Sequence, residues 1–583
     1  MKKYIQLSML PVCILLSLLS CAQTEQQLRR LPVNAYLDKM KAGWVGQMVG
    51  VGWGGPTEFK FKGEIIPPDQ IPEWQPGMVN QHYQDDIYVE MTFLRTLELY
   101  GFDVSIRQAG IDFANSRYNL WHANRAGRDN LRSGIAPPYS GHPKYNSHAD
   151  DIDYQIEADY SGLIAPGMPQ VAIELGEKFG RLMNYGDGLY GGQFVGGMYA
   201  EAFFEIDPEK IVRAGLKCIP EGSQYYECIS DVLKWYEENP DNWQKTWQLI
   251  DEKYQKNPDY RKFSCSGAGS DFNIDAKLNG AYIVMGLLYG KGDPDSTIVI
   301  STRCGQDSDC NPSNAGGILF ATLGFSNLPD RFKKRIDNET KFSFTEYNFP
   351  GIIEVCEKLA RQAVIKAGGR VEKNVDGEQA FVIPVTEPRP GALEQCWEPA
   401  AITEDVHFTG EEMAEISFRM RQPEEFVTTW QVAGPFTSEG ADMDALFDMM
   451  FPPEKAEADL GWKTMPMGTG GYSSWVIQLD KFLGGENRVA YLRANVWSRT
   501  ARQAVLELGS DDGVKLWLNG ELVHQKNIQR GHTPGQDKVD VSLKQGWNSL
   551  LMKITQGPGE WKASMCICDQ QGRSLSGLKY KLD

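Results

Sequence analysis

The sequence predicts two domains of different class, an all-α bundle followed by an all-β sandwich. Three observations carry this. Apolar residues recur at helical spacing from Asn34 to about Lys366; near Gly368 the pattern changes to short strand-like runs; and Asn519-Gly520 between two apolar runs is a strong hairpin signal. A chain of 583 residues is also too long for one core. Its 42% hydrophobic and 23% charged residues are those of an ordinary globular protein. The net charge of −18 argues against a nucleic-acid partner, whose phosphates need a basic surface.

Lys2 and Lys3 precede an apolar run from Ile5 to Leu19, too short for a stable membrane span but right for a secretory signal. Leu18-Leu19-Ser20-Cys21 resembles a bacterial lipobox, with a plain signal peptide and an incidental Cys as the alternative. The expectation is a signal peptide over 1–21, a lipid on Cys21, and a tether over 22–33. Such a protein would be a secreted lipoprotein of the periplasm or outer membrane, attached to the membrane through that lipid. Of the 11 cysteines, nine then remain. They form no Cys-x-x-Cys pattern and read as buried small apolar residues, with an isolated disulfide left open.

From Asn34, the positions Leu37, Met40, Trp44, Val45 and Met48 predict a helix, and Gly43, Gly46 and Gly50 let it pack tightly. Residues 50–55 formally match the dinucleotide fingerprint Gly-x-Gly-x-x-Gly, but a helix precedes them and Pro56 follows, so the match is false. Glu58, in the loop that follows, is either a surface charge or a buried catalytic carboxyl. After an irregular Pro-rich stretch, Asp85-Asp86 stand at the start of a helix carried by Ile87, Met91, Leu94 and Leu97. The Gly-rich run from Asn184 to Gly192, bearing Asp187, Tyr185 and Tyr190, reads as a loop ahead of a helix over Phe194–Phe204, either lining a sugar pocket or forming a turn. The segment from Ala276 to Leu288 predicts a central buried helix.

In Arg303-Cys304-Gly305-Gln306-Asp307-Ser308-Asp309-Cys310-Asn311-Pro312 a second acidic pair stands before a helix, with Asn311-Pro312 read as its cap and first position. One such pair is explained by the helix dipole. Two are better explained by a shared hard cation, magnesium or calcium, because carboxylates repel and such ions prefer oxygen ligands. Beyond Gly368, the runs 381–385, 427–432, 489–492, 504–508 and 514–518 read as strands of the sandwich.

With Gly-Gly-Pro-Thr-Glu-Phe at 54–59, Asp85-Asp86 and Gly305-Gln306-Asp307-Ser308-Asp309 set in order, the first domain resembles the ADP-ribosylglycohydrolase family. That resemblance implies an orthogonal all-α bundle with a two-metal site, usually magnesium. It also implies metal ligands at Asp85, Asp86, Asp307 and Asp309, and Glu58 as the acidic residue near the scissile bond. The sequence departs from the family at Gln84 and Cys310, where threonines are usual, and at Gly52-Trp53, where Gly-Asp is usual. The second domain is similar to galactose-binding-like sandwiches of secreted carbohydrate-active enzymes, on Trp430 to Phe436 and Ser510 to Gly513. Trp517 is there either a sugar-stacking ring or core.

The expected domains are thus 34–375 and 376–583, and the expected activity is metal-dependent glycoside hydrolysis on an extracytoplasmic glycan or glycoconjugate. Glu58 is the expected acid or base, with Asp187 and Asp159 as reserve candidates for the second proton transfer. An ADP-ribosyl hydrolase and a non-catalytic glycan-binding lipoprotein are the rivals. No protein partner is readable. Neither Gly-x-Ser-x-Gly nor His-Glu-x-x-His occurs, which removes the commonest serine-hydrolase and zinc-protease readings.

Overall fold

The computed structural model describes residues 27–418, 421, 423–455, 460–570 and 572–582. The signal-peptide and lipid-anchor expectations for residues 1–21 lie outside them. No helix among the described residues is long and apolar enough to cross a membrane. The nine described cysteines are free, and all but Cys265 are buried.

The chain divides into two units. Among the described residues, the first contains those up to Asp103, then Asp150–Gly180 and Tyr185–Glu398; the second contains Val104–Ala149, Arg181–Asn184 and those from Pro399 onward. Compactness therefore divides the chain differently from the sequence cut at 375/376.

The first unit is built on α1 (Val33–Gly54), buried on nearly every side. The unit also contains α2 (Asp85–Tyr100), α3 (Asp159–Leu163), α4 (Asp187–Ala202), α5 (Ala276–Gly290), α6 (Pro294–Arg303), α7 (Cys310–Leu323) and α8 (Phe349–Lys366), of which α7 is the main partner of α1. Glycine brings α1 and α7 together. A methyl group on Gly50 would lie 2.2 Å from the Pro312 carbonyl oxygen, and one on Gly54 would lie 1.9 Å from that of Ser308. Neither distance is possible for a real side chain, so any other residue there would push α7 away.

Three sequence expectations change here. The Gly-rich run before Phe194 is largely helix, because α4 begins at Asp187. Its glycines serve close packing: methyl groups on Gly191 and Gly192 would lie 2.6 Å from Gln155 and 2.2 Å from Tyr154. The helix after the second acidic pair starts at Cys310 with Asp309 as its cap, two residues earlier than Asn311-Pro312 suggests. The strand-like run at 381–385 belongs to the first unit. β1 (Leu28–Pro32), β2 (Arg370–Lys373) and β3 (Gln379–Pro384) form an antiparallel sheet in the order β1-β3-β2, and Phe381 packs its ring 5.2 Å from that of Tyr36 on α1. An apolar run specifies a strand but not the sheet it joins.

The second unit contains two antiparallel sheets. One has the order β10 (Glu521–Lys526), β9 (Gly513–Leu518), β12 (Gly546–Gln556), β7 (Arg488–Ser498), β4 (Gln431–Phe436) and β5 (Lys463–Thr464), with β14 (Lys579–Lys581) also paired to β7. The other has the order β11 (Asp537–Leu543), β8 (Arg502–Ser510), β13 (Lys562–Cys568) and β6 (Ile477–Gln478). Leu492, Leu516 and Met552 from the first meet Leu506 and Met565 from the second around buried Trp430 and Trp561. Burying each such side chain stabilises by about 1.5–3 kcal/mol. Asn519 and Gly520 turn β9 into β10 with φ of 52° and 84°, as the hairpin signal requires.

Candidate metal centre

The N-terminus of α2, the loop into α7 and the loop leaving α1 meet at one place. Gln84 caps α2: its Oε1 accepts from the Asp85 amide at 3.0 Å, while its Nε2 donates to Asp309 Oδ2 at 3.1 Å. One side chain thus joins the two acidic motifs. The Glu58 loop is fastened to the Asp307 loop as well. Thr57 Oγ1 and Ser308 Oγ share a 2.9 Å hydrogen bond, the Phe59 amide donates to the Gln306 carbonyl at 3.1 Å, and the Gln306 amide donates to the Phe61 carbonyl at 2.9 Å. Phe59 and Gln306 both occupy the left-handed region, with φ of 50° and 58°. Such backbone in a non-glycine residue costs about 1–3 kcal/mol and persists only where its surroundings enforce it.

These elements gather five acidic side chains. Oxygens from Glu58, Asp307 and Asp309 lie within 4.8 Å of one another, as do ligand atoms from Asp86, Asp309 and Cys310. Asp85 acts electrostatically on Glu58, Asp86 and Asp309. Asp86, Asp307 and Asp309 are no more than 2% exposed, whereas Glu58 lies at the exposed lip. Both oxygens of Asp86, Oδ1 of Asp307, Oδ1 of Asp309 and Oδ1 of Asn311 have no hydrogen-bond partner. No lysine, arginine or histidine pairs with these carboxylates among the described residues.

Burial pushes Asp85 up to about 6 and Asp307 up to about 8. Burial and the neighbouring carboxylates hold Asp86 and Asp309 well above the usual range, and Glu58 is raised by desolvation and by Asp85. Two such charges about 4 Å apart repel by roughly 4 kcal/mol at an effective dielectric of 20. Several such pairs would cancel the whole stability of a domain, about 5–15 kcal/mol. The carboxylates therefore need protons or a cation. Buried, unpartnered oxygens with a hard donor set fit a divalent ion of the magnesium or calcium kind. Cys310 suits such an ion less well than the oxygens around it, because thiolate sulfur is a soft ligand.

Asp159 and Asp187 belong to neither carboxylate group. Asp159 lies one helical turn behind: its Oδ2 accepts from Asn314 Nδ2 at 2.6 Å, and Asn314 stands one turn after Cys310 on α7. Desolvation pushes it up to about 8. Asp187 starts α4, accepts from the Tyr225 amide at 3.2 Å, and lies 3.6 Å from the buried Lys277 Nζ. Lys277 also meets Asp150 at 3.1 Å and Asp275 at 3.9 Å. Sequence reasoning missed Glu90, fully buried one turn after Asp86 and accepting from the Tyr160 amide at 2.5 Å. Its signal was a charge on the same α2 stripe as Asp86, Leu94 and Leu97.

The first unit is thus a helical domain in which the N-termini of two helices meet at a group of buried carboxylates able to hold a cation. The family model described as ADP-ribosylglycohydrolase matches residues 32–369, and the chain belongs to that family. The family generally depends on a divalent metal. A solved structure titled "ADP-ribosylglycohydrolase-related protein complex" is similar over 57% of this chain and 99% of that one, at 13% identity and a TM-score of 0.36. No curated protein matches the chain.

Proposed function

We propose that this protein is a divalent-cation-dependent glycoside hydrolase acting on an extracytoplasmic glycan or glycoconjugate. The observation that carries the reading is the convergence of Asp86, Asp307 and Asp309, buried and without basic partners among the described residues, with half-buried Asp85 beside them and Glu58 at an open lip. A bound magnesium or calcium would supply Lewis acidity and chelate vicinal sugar hydroxyls. Asp86, Asp307 and Asp309 would hold it, with Asp85 beside them.

The chain's own residues do the rest. Glu58 is reachable from solvent, and desolvation and Asp85 raise its carboxyl, which suits it to hold or release a proton beside the glycosidic oxygen. Glycosidic cleavage needs a leaving group protonated and water delivered, and one carboxyl beside the bond can serve as acid and then as base. The Phe59–Gln306 and Thr57–Ser308 bonds keep Glu58 registered over Asp307 and Asp309. Asp159 and Asp187 remain reserve candidates, supporting the site from buried positions. The lipoprotein address on Cys21, which motivates the extracytoplasmic substrate, belongs to this proposal.

The second reading, an ADP-ribosyl hydrolase, is favoured by the family match over residues 32–369. One experiment separates them. Purified protein is incubated with a glycan panel and with ADP-ribosylated substrates, with and without chelator, beside Asp307→Asn. The proposal predicts sugar release that chelation and the substitution both abolish. Turnover of ADP-ribosylated substrates alone would replace it with the second reading, and sugar release surviving both treatments would remove the metal mechanism.

A further inference from the structure

The outer face of the seven-stranded sheet carries tryptophans that the hydrolase reading leaves unused. Register places them. Trp547 of β12 lies opposite Trp497 of β7, which lies opposite Lys579 of β14; the next row of this face holds Ser549, Asn495 and Lys581. The row after that holds Leu551, Arg493 and Gln431, with Trp517 of β9 opposite Leu551. Directly opposed residues share a face of an antiparallel sheet. The alternating residues Leu550, Ala494 and Val496 are buried in the sandwich core, so Trp547 and Trp497 lie on the outer face, whereas Trp517 and Leu551 are covered there by a small cluster around Leu446 and Tyr491.

Trp547 and Trp497 each have a lysine over the ring, and Trp462, just ahead of β5, has an arginine. Lys581 Nζ lies 4.6 Å from the Trp547 ring centroid, Lys579 Nζ lies 5.2 Å from that of Trp497, and the Arg493 guanidinium carbon lies 4.3 Å from that of Trp462. Trp547 is 44% exposed. Neither Lys579 nor Lys581 is in an ion pair among the described residues. In a chain with a net charge of −18, this row offers cations beside flat apolar rings.

We propose that this face binds an anionic polysaccharide. Trp547 and Trp497 stack on the sugar rings, while Lys579 and Lys581 pair with its carboxylate or sulfate groups. Charge complementarity selects the polyanion: a neutral glycan has no use for the cations, and the acidic remainder of the protein repels a polyanion that approaches elsewhere. A lipid surface fits less well. Trp547 and Trp497 lie within paired strands, one residue in from the strand ends, with Ser549 next on the same face, and are not the apolar tip of a loop. The inference rests on the second unit alone, so it stands or falls independently of the hydrolase reading.

The test is titration of the full chain with polygalacturonate, chondroitin sulfate, neutral galactan, and phosphatidylcholine vesicles containing phosphatidylglycerol. The expected result is binding to one or both acidic polysaccharides, weakened by salt. The two acidic arms report whether carboxylate or sulfate is preferred. Trp547→Ala, and separately the pair Lys579→Glu with Lys581→Glu, should weaken binding about tenfold or more while the melting temperature stays near that of the parent. Equal, salt-insensitive binding to galactan would overturn the proposal. So would binding to vesicles alone, retention of acidic-polysaccharide affinity by both variants, or no binding in any arm.

Discussion

Gln84 donates its amide to Asp309 Oδ2 at 3.1 Å while accepting from the Asp85 amide at 3.0 Å, so a single side chain sets the spacing between two acidic motifs some 225 positions apart. The hydrogen bond both orients a carboxylate and caps a helix. Groups that hold a ligand's orientation are typically worth 10–100-fold in metal affinity. Gln84→Ala should therefore lower magnesium or calcium affinity by about tenfold or more, and losing the cap should cost about 0.5–1 kcal/mol of stability. Calorimetric titration beside a denaturant melt checks both. Unchanged affinity would show that Asp309 is held by other means.

The cation should matter more as pH rises. Asp85 is pushed up to about 6 and Asp307 up to about 8, whereas an unfolded Asp titrates near 3.9. Below pH 4 both states hold these protons and the site costs nothing. Above pH 4 the unfolded chain has released them, while the cation-free fold retains that of Asp85 up to about pH 6 and that of Asp307 up to about pH 8. The fold then binds more protons than the unfolded chain, and its stability falls as pH rises. A bound cation needs the ionised form and reverses that loss. The rise in melting temperature on adding magnesium to chelator-treated protein should therefore grow from pH 5 to pH 8. An equal rise at every pH would contradict this.

Contact between α1 and α7 depends on the absence of a side chain. Gly50→Ala places a methyl group 2.2 Å from a carbonyl oxygen, where backbone must move, so it should cost about 3 kcal/mol or more and misplace Asp309. Gly55→Ala meets nothing within 4 Å and should change stability by less than about 1 kcal/mol. Thermal melts of the two variants provide the comparison, and similar losses in both would refute the packing argument.

Lys277, buried at 1% exposure among Asp150, Asp187 and Asp275, compensates three carboxylates. Lys277→Met leaves them without their cation and should cost about 3–5 kcal/mol. Asp187→Asn in the Lys277→Met background should recover part of that loss if the network is structural. Absence of any recovery in melting temperature would leave Asp187 with a role other than charge balance.

The parts of the site that are local in sequence were legible. Asp85-Asp86 and Asp307-x-Asp309 each sit in a short turn before an apolar helical stripe, and the Asn519-Gly520 hairpin is likewise written in neighbouring residues. What depended on distant partners was not. Glycines 191 and 192 serve helix packing, yet a packing glycine and a turn glycine look alike in one sequence. Phe381 was legible as strand, but its pairing with β1 rests on a segment some 350 residues earlier. Asp159 and Asp187 were recognisable as unusual acids, while their buried partners Asn314 and Lys277 lie far along the chain.

The central claim is that Asp86, Asp307 and Asp309 hold one cation site. Calorimetric titration of magnesium, and separately calcium, into the chelator-stripped full chain tests it most directly, with Asp307→Asn and Asp309→Asn titrated alongside. Saturable binding in the parent, lost or weakened at least a hundredfold in both variants while they remain folded, is the predicted result. No saturable binding in the parent at pH 8, or the same affinity in all three proteins, would contradict it.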